Sequence, residues 1–129
     1  MTKKPKYGLV ASCGMYPENG KRWVDILVFE RVSDLRRFAK KARIPGYSTL
    51  GGFCKSYGGQ RRFAAVGLCK RYLTPRVVSH EFTHAALMYL SEVNDLPKDP
   101  WRDPNERLCH LVGNGTADFY CWAKDRGLY

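Results

Sequence analysis

The sequence predicts an α+β domain in which a small, twisted and mostly antiparallel sheet of about three strands packs on three helices. Three observations lead there. Two short apolar runs, residues 23–29 (Trp-Val-Asp-Ile-Leu-Val-Phe) and 63–69 (Phe-Ala-Ala-Val-Gly-Leu-Cys), have the length and the β-branched or aromatic content of largely buried strands. Two cap-plus-proline pairs, Thr74-Pro75 and Asp103-Pro104, each open a long stretch with helical apolar spacing. The length, 129 residues, suits one domain with a real core and is short for two.

Each element has a local reason. Residues 7–13 are the expected hairpin partner of the first run, with Pro17, Glu18, Asn19 and Gly20 supplying the turn chemistry. Ser33 is expected to cap a helix that reaches about Arg43. Leu35, Phe38, Ala39 and Ala42 would form its buried stripe and its arginines and lysines the outer face. Ile44, Pro45 and Gly46 would end it. Residues 46–60 hold five glycines and read as a loop. Gly67, inside the second run, marks a bulge or a close backbone approach. The helix opened by Thr74-Pro75 should reach about Val93. It is apolar on most sides yet carries two histidines and a glutamate, which puts it at the centre of the fold. A proline-rich, charged connector over 94–104 leads to the last helix, which runs to about Lys124. Gly113 and Gly115 either interrupt that helix or admit another backbone.

The formal net charge is +10, with lysine and arginine clustered at 31–43, at Arg61-Arg62 and at Lys70-Arg71. Such a balance suits nucleic acid or another acidic partner; the alternative is a solvated surface with no partner. The aromatics are spread along the chain rather than interleaved with these charges, so the sequence singles out no RNA-stacking platform. Five cysteines form an odd set with no CxxC pair, which reads as buried or inert thiols in a reducing cytoplasm. The basic N-terminus is followed by a stretch broken at Gly8, Ser12, Cys13 and Gly14, a poor signal peptide, and no apolar run approaches 18 residues. The expectation is a cytoplasmic protein without a membrane span.

The chemistry concentrates in His80-Glu81-Phe82-Thr83-His84, an HExxH motif. On a helix, positions i and i+4 share a face, so two imidazoles there can converge on one zinc ion. The intervening glutamate, about 100° further round, falls beside the ion rather than on it. The structural alternative is a satisfied histidine pair with Glu81 bound to an arginine. A catalytic zinc generally takes a third protein ligand, and the candidates are Glu106 and His110, four residues apart on one face of the last helix.

These residues resemble the gluzincin metallopeptidases, the thermolysin-like branch of the zincins. Residues 80–86 are similar to the active-site helix of that family, and Asn105-Glu106 to the pair that carries its third ligand. The resemblance covers roughly residues 63–113, and it implies a minimal zincin-like domain over 1–129. One departure stands out: the family places an aspartate four residues after the third ligand, and here that place is His110. The carboxylate that would orient an imidazole is therefore absent there or supplied elsewhere. A third histidine ligand, as in the SprT-type DNA-protein crosslink proteases, would instead make His110 the donor.

The resemblance implies zinc on His80, His84 and Glu106, with Glu81 as general base toward a water activated by the ion. His110 or Tyr120 would donate to the developing oxyanion. The strand over 63–69 would lie along the cleft and pair with an extended peptide or protein substrate. Two other functions are compatible with the sequence. One is a basic, nucleic-acid-associated zincin-like module, either a SprT-like DNA-linked protease or a non-catalytic binding protein. The other is a protein that binds a regulator through a zincin-shaped surface.

Overall fold

The computed structural model describes residues 6–18, 22–57, 61–96 and 106–129. Its elements are β1 (Leu9–Met15), β2 (Trp23–Phe29), α1 (Val32–Lys41), β3 (Gly52–Ser56), β4 (Arg62–Cys69), α2 (Pro75–Glu92) and α3 (Glu106–Asp125), with single 3-10 turns before β1, before β3 and after β4. The class is α+β, as the sequence predicts, with four strands rather than about three. They form one open sheet in the order β1-β2-β4-β3. Two pairings are antiparallel, β1 with β2 and β3 with β4, and the central pairing of β2 with β4 is parallel.

The additional strand is β3, inside the stretch expected to be a loop. Its glycines conceal a strand pattern that only the partner completes. Phe53 lies opposite Gly67 in the register, and a side chain at Gly67 would collide with the Phe53 ring. Gly67 is thus the close approach its position in the run suggests, and β4 is unbroken there.

The period-2 alternation of the strands divides the sheet between two cores. On one face, Val24, Ile26 and Val28 of β2 and Ala64, Val66 and Leu68 of β4 pack against α2 and α3 through Val78, Phe82, Leu90, Leu111 and Phe119. On the other face α1 covers Phe29, Phe53 and Cys69 with Leu35 and Ala39.

The helix ends follow local chemistry. Thr74 caps α2, its hydroxyl oxygen accepting from the Val77 N–H at 3.3 Å, with Pro75 as the first helical residue. α1 starts two residues earlier than expected: Val32 is its first residue and Arg31 its cap, which leaves Ser33 inside the first turn beside Asp34. Each helix closes on a left-handed residue, Arg43, Asn94 or Gly127, and the next N–H donates back to the carbonyl of Ala39, Leu90 or Ala123 at 2.8–2.9 Å. α3 runs through Gly113 and Gly115 without interruption. The Asn19-Gly20 turn and the Asp103-Pro104 cap lie outside the described residues. Among the described residues no helix is long and apolar enough to cross a membrane.

Candidate metal centre

The three motif residues occupy neighbouring strips of α2. Phe82, Ala85, Ala86 and Tyr89 are buried. Val77 and Glu81 meet β3: a Cβ placed on Gly52 would stand 3.3 Å from Glu81 Cγ and 3.3 Å from Val77 Cγ1. Further along β3, the Cys54 thiol approaches Met88 Sδ at 3.7 Å. Around the helix from Glu81, at ~60° and ~100°, come His84 and His80, both exposed. Their rings lie edge to face with centroids 4.9 Å apart. The spacing therefore does what i and i+4 should do: it sets two imidazoles side by side over the outer edge of the sheet.

Among the described residues Glu81 is the one charged residue in the buried set, at 6% relative exposure. Its nearest ionic neighbour is His80, with Nε2 3.9 Å from Oε1, too long for a hydrogen bond. No arginine pairs with it among the described residues. Burial pushes its carboxyl above the ordinary carboxylate range, opposed by the charge of His80. Burial, with the negative charge of Glu81 added to it, pushes the Cys54 thiol up to about 12.

Glu106 and His110 stand elsewhere. They face each other across one turn of α3, with His110 Nε2 3.9 Å from Glu106 Oε2, and their side chains are 78% and 72% exposed. α3 runs antiparallel to α2. Arg107, in its first turn, places its guanidinium 5.7 Å from the ring centroid of Tyr89, Gly115 abuts Phe82, and Tyr120 donates to the Leu73 carbonyl at 2.8 Å. Phe82 lies about 160° around α2 from either histidine. α3 is packed on the Phe82 side, so the structure does not bring Glu106 or His110 to the histidine pair. Tyr120, held by Leu73 before α2 begins, is likewise tied into the packing rather than turned to the pair.

Among the described residues no three His, Cys, Asp or Glu side chains converge as a metal site would need. The donor set fits zinc in part: two imidazoles on one face with a desolvated carboxylate beside them, and no third protein ligand. The cysteines add none. All five are free, Cys69 buried, Cys13 and Cys54 half-buried, and Cys109 and Cys121 exposed.

The strand beside the site also differs from expectation. β4 is bonded on both sides, to β2 and to β3, and has no edge to offer a peptide. The open edge next to α2 belongs to β3. Sequence reasoning missed β3 and Gly52, and the signal available was the Phe53–Gly67 pair of large and absent side chains.

Compared with known proteins, the chain matches no family model, no curated sequence and no solved structure.

Proposed function

We propose that the protein is a zinc-dependent hydrolase of peptide bonds centred on the exposed face of α2. One observation carries this reading: a buried glutamate that no hydrogen-bond donor reaches among the described residues lies beside two exposed, mutually facing imidazoles. A largely buried carboxylate without a hydrogen-bond donor is costly in a structural role and useful as a base. His80 and His84 are the two residues that would hold the metal. Zinc bound there would supply Lewis acidity and a water of lowered pKa.

The chain's own residues do the rest. Glu81, packed with Val77 against Gly52, accepts a proton at its carboxylate, and burial raises its affinity for that proton. The outer edge of β3 pairs with no other strand among the described residues. An extended peptide added there would receive main-chain hydrogen bonds and pass beside Glu81.

The test is metal content and peptidase activity measured together. Wild type should bind one zinc per chain, and His80→Ala or His84→Ala should lose both zinc and activity. Glu81→Gln should keep zinc and lose activity at least about 100-fold. Full activity in Glu81→Gln would sink the assignment. Glu106→Gln reports on the third ligand: with α3 packed as described it should keep its zinc, and loss of zinc would place that helical turn on the ion.

A further inference from the structure

The face of the sheet opposite α2 is only half covered. α1 seals the end at Phe29 and Phe53, with Phe38 stacked on Phe53 at 5.8 Å. Toward the other end of the same face no helix lies over the strands among the described residues. The register puts Trp23 of β2 opposite Arg62 of β4, and Tyr57 follows β3, its N–H donating to the Phe63 carbonyl at 2.9 Å.

These side chains hold one another in place. Trp23 Nε1 donates to Asp25 Oδ1 at 3.0 Å and Arg62 Nη1 to Asp25 Oδ2 at 3.1 Å. The Arg62 guanidinium lies 4.7 Å from the centroid of the Tyr57 ring. Tyr16 stands 6.0 Å from Trp23, and a side chain on Gly14 would come within 3.0 Å of the Trp23 ring. The charge of Asp25 is thereby committed to two donors, while Tyr16 and Tyr57 remain exposed.

The surrounding charge is lopsided. Residues 31–62, which form α1, β3 and the start of β4, hold nine lysines and arginines and a single acid, Asp34, which bonds Arg37 at 3.2 Å. The other 97 residues hold 13 basic and 11 acidic side chains. The charge of the protein therefore belongs to the elements that border this face. Lys55 marks the join, its ammonium reaching the Ala42 carbonyl at the end of α1, and Lys40 and Lys41 follow on the exposed last turn.

We propose that this half-face binds single-stranded nucleic acid, with bases stacking on Tyr57 and Trp23 and phosphates meeting Lys40, Lys41 and Lys55. Aromatic rings on an open sheet beside a basic border are the arrangement that unpaired bases can use. A duplex, its bases already stacked, would feel the charge alone, and an acidic protein would have no use for the ring faces. The inference rests on a different face from the histidine pair and is independent of zinc.

The experiment is fluorescence anisotropy with labelled 12-nucleotide oligo-dT and oligo-rU, and a 12-base-pair duplex, in EDTA at 50 and 200 mM KCl. Single strands should bind more tightly than the duplex. Tyr57→Ala, at an exposed position past the strand end, should weaken single-strand binding about fivefold or more without changing its salt slope. The double variant Lys40→Glu/Lys41→Glu should weaken it and flatten the slope. The oligo-dT and oligo-rU arms decide between DNA and RNA. Three results would overturn the proposal: no binding at 50 mM KCl, equal duplex binding with no effect of Tyr57→Ala, or competition by poly-glutamate as strong as by oligonucleotide.

Discussion

The ring of Phe82 occupies the space that a side chain at Gly115 would need: a Cβ there would stand 2.7 Å from Phe82 Cδ1. Two residues earlier on the same helix, a Cβ at Gly113 would meet nothing within 4 Å. The two glycines should therefore respond oppositely to alanine. Gly113→Ala should stabilise by about 0.5–1 kcal/mol through helix propensity. Gly115→Ala should destabilise by about 1–3 kcal/mol by pushing α3 off Phe82. Urea unfolding of the two variants checks both signs.

Glu81 should cost the metal-free protein stability at neutral and alkaline pH. Its folded-state pKa is raised by burial, so the folded state holds this proton more tightly than the unfolded state. The associated stability is complete below the ordinary carboxylate pKa and is lost as pH rises through the raised value. In EDTA, Glu81→Gln should be more stable than wild type at pH 8 by on the order of 1 kcal/mol, a few degrees in Tm. The advantage should vanish near pH 4. Thermal melts across that range measure it.

Arg107 should govern stability on the acid side. It donates to Glu18 at 2.6 and 2.7 Å and to Asp95 at 2.9 Å, and the Tyr89 hydroxyl donates to the same Glu18 at 3.0 Å. These bonds join the end of the first hairpin strand to α2 and α3. The hydrogen bond from Arg107 is the main cause holding the Glu18 carboxyl below its usual range. The sign is opposite to that of Glu81: the contribution is complete above the ordinary carboxylate pKa and is lost as pH falls through the lowered one. Glu18→Gln should thus flatten the acid limb of the stability profile while leaving the alkaline limb unchanged. Because the pair is more than a third exposed, the loss at pH 7 should be small, and 1 M salt should reduce it further.

Much of the fold was legible because local chemistry and tertiary packing agree. Thr74-Pro75 opens α2 as its cap signature requires, and the apolar runs at β2 and β4 are buried strands. β3 was hidden because two glycines precede Phe53 and two more follow Tyr57, and glycine signals a turn until its partner is known. The histidine pair was legible because i and i+4 is a property of one helix. The placement of Glu106 and His110 relative to that pair was not, because it depends on how α3 is rotated against α2, and that rotation is set by Phe82, Gly115 and Arg107. The aromatic platform was invisible for a similar reason: Trp23, Tyr57 and Arg62 are dispersed in sequence and meet only through strand register.

The strand order has a kinetic consequence. β1 with β2 and β3 with β4 are local pairings, each closing a short stretch of chain, whereas β2 meets β4 across some forty residues. Loop closure makes the short pairings the early ones and the central seam the late one. During refolding, pulse-labelled amides within each outer pair should gain protection before those that bond β2 to β4. Protection at the seam first would reverse that order. The core under Val78, Phe82 and Leu90 would then be completed in a final docking step, when two preformed halves of the sheet come together beneath α2.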